Sequence, residues 1–95
     1  MPTIALTEKA QSDLLTIHEH YLSHSGIQAA NEVIFHILAR LEQLTVFSAT
    51  GRPTQYSQVR ELVFTRYPFI APYQIKGDQI QVLRVRHQRK LPNHF

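Results

Sequence analysis

The chain has no cysteine, three glycines and no long apolar run. Without cysteine there is no disulfide, no thiol nucleophile and no zinc site built on sulfur. The same absence fits a reducing compartment. The glycines Gly26, Gly51 and Gly77 stand far apart, so no glycine-rich phosphate loop exists, and neither a nucleophile elbow nor a paired-carboxylate motif is present. No apolar stretch approaches the roughly 20 residues of a membrane span. The opening residues Met1-Pro2-Thr3-Ile4-Ala5-Leu6 lack the basic and long apolar parts of a signal peptide. The expectation is a soluble cytoplasmic protein with no membrane partner and no cofactor.

Acids are scarce in one half only. From Gly51 to Phe95, eight Lys/Arg stand against Glu61 and Asp78; from Met1 to Thr50, Lys9 and Arg40 stand against five acids. The overall +3 hides this split. A basic half ending in Arg84-Val85-Arg86-His87-Gln88-Arg89-Lys90 points to an acidic or anionic partner. At 95 residues the chain is expected to be a single domain, residues 1–95, with a modest core. Its 43% hydrophobic content is too high for disorder.

Thr3-Ile4-Ala5-Leu6 reads as a short strand, and Thr7 as the N-cap of a helix with Glu8 at its positive end. Ala10, Leu14, Ile17 and Tyr21 fall at helical spacing, and Gly26 stops the helix. Ala30, Val33, Ile34, Ile37, Leu38, Leu41 and Leu44 form the apolar stripe of a second helix, antiparallel to the first. A capping box from Ser25 to Gln28 would open it. After a loop through Gly51-Arg52-Pro53 come three strands, Val59 to Phe64, Phe69 to Ile75 and Gln79 to Val85, with a turn at Lys76-Gly77-Asp78. Pro72 cannot donate to a ladder and demands an edge, a bulge or a break. The predicted fold is α+β, ordered β-α-α-β-β-β, a helical hairpin packed on a small antiparallel sheet.

Several strings at ordered spacing are then specific: Gly51-Arg52-Pro53, Arg60-Glu61-Leu62-Val63, Tyr67-Pro68-Phe69-Ile70-Ala71-Pro72-Tyr73, Gly77-Asp78-Gln79-Ile80 and Leu83 through Lys90. With the Asp13-Leu14…Ile17…Tyr21 spacing, this set resembles the RelE/ParE superfamily of bacterial toxins, and most of all its ParE branch of plasmid-stabilisation proteins. The resemblance implies the same α+β fold and a type II toxin neutralised by a cognate antitoxin. In the ParE mode such toxins inhibit growth by poisoning DNA gyrase, and they meet operator DNA only through the antitoxin. In the RelE mode they are ribosome-dependent, metal-independent mRNA endoribonucleases. A degenerate, non-toxic member is the third reading. RelE-like ribonucleases typically open the strand that here begins Phe69-Ile70 with arginine, and carry Tyr or His-Tyr where this chain has Gln88-Arg89. These departures favour gyrase as target and leave no catalytic group assigned.

The residues expected to bind the target are Arg60, Arg84, Arg86, His87, Arg89 and Lys90, with Arg84 and Arg86 on one face of the last strand. Were the chain a ribonuclease, Arg60, Arg84, Arg86 and His87 would form its site. Phe35, Leu38, Leu41 and Phe47, with Arg84 and Arg86, are expected to bind the antitoxin. Glu61 is expected to pair with an arginine of a neighbouring strand. His20 and His24 have a metal-like i, i+4 spacing but no strong third ligand, so no metal is expected.

Overall fold

The computed structural model describes residues 2–88. Its elements are β1 (Thr3–Leu6), α1 (Glu8–Ser25), α2 (Ile27–Glu42), a 3-10 turn (Gln43–Thr45), β2 (Arg52–Pro53), β3 (Val59–Val63), β4 (Phe69–Lys76), β5 (Gln79–Val82) and β6 (Arg86–His87). The sheet runs β1-β5-β4-β3-β2, and β6 pairs with the start of β4. The α+β class and the helical hairpin are as expected.

The sheet is mixed, not antiparallel: β1 runs parallel to β5, from Thr3 opposite Gln79 to Leu6 opposite Val82. Neighbouring strands joined by short turns must be antiparallel. A strand separated from its partner by a helical hairpin is free to pair either way, and local periodicity carries no signal of that direction.

Thr7 caps α1 as expected, its hydroxyl accepting from the Ala10 N–H at 3.0 Å. The same hydroxyl donates to the Leu83 carbonyl at 2.8 Å, and the Thr7 N–H donates to the Val82 carbonyl. The cap thus fixes the helix to the sheet. Gly26 alone turns the chain between helices, at φ +90°, where a Cβ would be strained. The Ser25–Gln28 capping box does not form, because Ser25 still belongs to α1 and Gly26 is the N-cap of α2.

Ala10 and Ile17 of α1, and Val33, Ile37 and Leu41 of α2, are buried against alternate residues of the sheet: Leu62, Ala71, Tyr73, Ile80 and Val82. The other parity of β3 and β4, including Val59, Glu61 and Pro72, faces away from the helices.

That alternation creates a conflict that a bulge resolves. With Ile80 and Val82 in the core, strict alternation would send Arg84 and Arg86 inward. Tyr73 pairs with Val82, yet Ile70 pairs with Arg86, so Ala71 and Pro72 oppose Leu83, Arg84 and Val85. The extra residue is a β-bulge. It puts Val85 into the core and sets His87 opposite buried Phe69. Pro72 lies opposite the bulge; its carbonyl accepts the Leu83 N–H at 2.8 Å, on the side where its own N–H would have pointed. The predicted strand Gln79–Val85 therefore ends at Val82, and Arg84 and Arg86 do not share a regular strand face.

Candidate functional site

The bulge is held by α1. The Asp13 carboxylate accepts from Arg84 Nε at 2.8 Å, from a second Arg84 nitrogen at 3.0 Å and from the Val85 N–H at 2.9 Å. This two-pronged bond raises the Arg84 pKa further. Arg84 is thereby tied to a structural carboxylate. Nothing local in the sequence signals the pair, which spans 71 residues.

Arg60 is also engaged. Its guanidinium donates to the Gly51 carbonyl at 2.7 Å. Gly51 in turn donates its N–H to the Tyr73 hydroxyl at 2.9 Å, and that hydroxyl donates to the Ser48 carbonyl at 2.7 Å. Burial pushes the Tyr73 phenol up, opposed by its bond with Gly51 and by nearby Arg60. A Cβ on Gly51 would lie 2.6 Å from the Tyr73 ring and 2.9 Å from the Glu61 carbonyl oxygen. Glycine is therefore needed for close approach, and Gly51-Arg52-Pro53 is the anchor of the loop onto the sheet. Glu61 pairs with Arg52 at 3.0 Å across β2 and β3, its carboxylate largely buried.

Arg86 and His87 sit at the edge of the sheet beside α1. A cavity of about 250 Å3 there is lined by Asp13, Thr16, Phe69, Arg84, Arg86 and His87. The His87 ring meets Phe69 edge-on, with centroids 5.8 Å apart. Phe69, at the position where arginine was the comparison, is in the core, while Ile70 is half-buried on the far face. Arg89 and Lys90, the remaining expected cations, lie outside the described residues. The structure thus brings Arg84, Arg86 and His87 together and places Arg60 in the separate Gly51–Tyr73 network.

The expected antitoxin contacts divide. Phe35 is 75% exposed, and Leu38 and Phe47 are also exposed. Leu41 is 1% exposed and packs in the core, which withdraws it from any surface contact. Leu15 and Leu22 of α1 and Ile27 of α2 add exposed apolar surface that helical periodicity had not singled out. A bond between the His18 ring and the Asn31 side chain at 3.0 Å joins the two helices.

His36, on α2, packs against Phe64 and Tyr67, and its Nε2 is buried with no hydrogen-bond partner among the described residues. Burial, then Arg66 and Arg40, hold its pKa below the usual imidazole value. The His20 and His24 rings stack, and His24 Nδ1 donates to the His20 carbonyl at 2.8 Å. Among the described residues, no group of three or more His, Asp or Glu could hold a metal ion, and no helix is long and apolar enough to cross a membrane.

Residues 4–92 match the model of the ParE toxin of the type II toxin–antitoxin system parDE. The chain is 34% identical over 67 residues to the "Putative toxin Y4kP" of Sinorhizobium fredii, covering 70% of this chain and 69% of that protein. It is 30% identical over 89 residues to "Toxin RelE3" of Caulobacter vibrioides, covering 92% and 95% respectively. A solved structure described as the chromosomal ParDE system from P. aeruginosa superposes with a TM-score of 0.84 at 34% identity, over 92% of this chain and 96% of that one. Fold, length of match and the ordered motifs agree, and the chain belongs to the ParE family of type II toxin–antitoxin toxins.

Proposed function

We propose that this chain is a single-domain cytoplasmic growth inhibitor that poisons DNA gyrase and is neutralised by a cognate antitoxin. The observation that carries the reading is the engagement of its cations. RNA cleavage without metal needs a cation on the crowded phosphate together with proton-transfer groups. Arg84 is bound to Asp13, Arg60 is bound to the Gly51 carbonyl, and Phe69 fills the core. These groups build the fold, and the basic edge at Arg86 and His87, continued in sequence by Arg89 and Lys90, serves to dock on a protein–DNA complex. Family membership and the ParDE likeness support an antitoxin partner, and exposed Phe35, Leu38 and Phe47 offer it apolar anchors.

The test is a gyrase supercoiling and DNA-cleavage assay with the purified protein. The expected result is a trapped cleavage complex that weakens in Arg86→Ala. Full supercoiling and no trapped complex at any concentration would overturn the reading. The relative named Toxin RelE3 keeps a ribonuclease as the second reading. Primer extension on translated mRNA, comparing wild type with His87→Ala, separates the two.

A further inference from the structure

A second cavity opens beside the bulge, between the far face of the sheet and the first turn of α1, and shares Arg84 with the cavity at the basic edge. It measures about 300 Å3 and is lined by Lys9, Thr54, Tyr56, Val59, Pro72, Leu83 and Arg84. Three elements make it. The bulge brings Leu83 beside Pro72, whose carbonyl takes the Leu83 N–H. Val59 of β3 completes an apolar floor. The loop after β2 supplies Thr54 and Tyr56, and this wall is held in place by its own bonds. The Thr54 hydroxyl donates to the Val59 carbonyl at 2.8 Å and accepts the Tyr56 N–H at 3.1 Å. The site is therefore preformed, which lowers the cost of filling it.

Its charge is of one sign. Lys9, in the first turn of α1, and Arg84 are the charged lining residues, and no acid lines the cavity. Arg84 is already balanced by Asp13, whereas Lys9 makes no ion pair among the described residues. The volume is at the bottom of the roughly 300–1,000 Å3 range of small-molecule sites. Such a space suits one large side chain better than a metabolite with a polar body.

We infer that this cavity binds a peptide segment of a protein partner, an apolar or aromatic side chain entering over Val59, Pro72 and Leu83 with a neighbouring carboxylate on Lys9. The partner is the antitoxin of the reading above, and in that respect the inference rests on it. The apolar group gives up water on entry and supplies most of the affinity. The exposed ammonium contributes modestly and selects the sign of charge.

The test uses the whole ¹⁵N-labelled protein and blocked tripeptides, followed by amide shifts. The peptides are acetyl-Asp-Phe-Asp-amide, acetyl-Lys-Phe-Lys-amide and acetyl-Asp-Ala-Asp-amide. The expected result is saturable shifts at Lys9, Thr54, Tyr56, Val59, Leu83 and Arg84 with the first peptide. Each of the other two should bind about fivefold more weakly or worse, as should the first peptide to Lys9→Glu. Because Lys9 is exposed and makes no ion pair among the described residues, that variant keeps the fold, which its unchanged spectrum verifies. Equal binding of the three peptides, shifts centred elsewhere, or no saturable shift would overturn the inference. The titration involves no toxicity and no gyrase. A negative gyrase assay with a positive titration thus sinks the proposed function alone, and the converse sinks only the cavity.

Discussion

Removing one oxygen, in Tyr73→Phe, isolates the bond network that anchors the Gly51 loop. The phenol of Tyr73 is the shared partner of the Gly51 N–H and the Ser48 carbonyl, and its residue is 0% exposed. Phenylalanine keeps the ring and its packing. The buried Gly51 N–H then loses its acceptor, a penalty of about 1–3 kcal/mol, while the partly exposed Ser48 carbonyl loses about 0.5–1.5 kcal/mol. The expected total is about 2–4 kcal/mol. Set against the ~5–15 kcal/mol of a typical domain, this is a large fraction. With a urea slope of about 1–3 kcal/mol per molar, the midpoint should fall by about 1 M or more with an unchanged slope. Hydrogen exchange supplies the local readout, because the Gly51 amide should be protected in the wild type and not in the variant. Tyr21→Phe is the control. No hydrogen bond of its hydroxyl is found among the described residues, so the loss should stay within about 0.5 kcal/mol. Gly51→Ala should cost about 1–3 kcal/mol by crowding the Tyr73 ring, and the double variant should lose less than the sum, since both changes act on one contact. A Tyr73→Phe midpoint within error of wild type, with the Gly51 amide still protected, would refute the reasoning.

Asp13→Ala should destabilise by about 2–4 kcal/mol in urea, because it leaves the Val85 N–H without its acceptor and frees a half-buried guanidinium. Asp13→Asn should cost less, since the amide oxygen can still take that N–H, and equal losses would show that the backbone bond is not what Asp13 supplies. His36 should make the protein acid-sensitive. Its folded pKa lies below the unfolded value near 6.5, so the unfolded chain binds the proton first, and stability is full above that pH and falls as pH drops through it. The slope is at most about 1.4 kcal/mol per pH unit from this residue. Urea unfolding at neutral and mildly acid pH should show His36→Leu to be less pH-dependent than wild type, and identical pH dependence would count against the assignment. Phe35→Ala should leave stability nearly unchanged, because the ring is exposed, but should weaken co-purification with the antitoxin.

Local patterns carried much of the fold. The Thr7 cap, the positive-φ Gly26 and Gly77, and the 3.6-residue stripes of both helices are short-range properties of backbone sterics and side-chain burial. They are legible because each depends on residues within a few positions. Pro72 likewise announced that the ladder must fail near it, since a missing N–H is a covalent fact. The candidate site was less legible. Charge counting located the basic C-terminal half but could not tell an arginine that is available from one that is bound. Arg84 meets Asp13 and Arg60 meets Gly51 only after the chain folds.

The amino-acid order by itself determined the helical hairpin, where the three longer strands of the second half begin, the resemblance to RelE/ParE toxins and the uneven charge. Tertiary structure alone decided the parallel pairing of β1 with β5 and the face each cation occupies. The physical reason is the two-residue period of a strand. One extra residue at Leu83–Val85, opposite Pro72 and held by a carboxylate on α1, reverses the facing of Arg86 and His87 and keeps Arg84 and Arg86 out of the core.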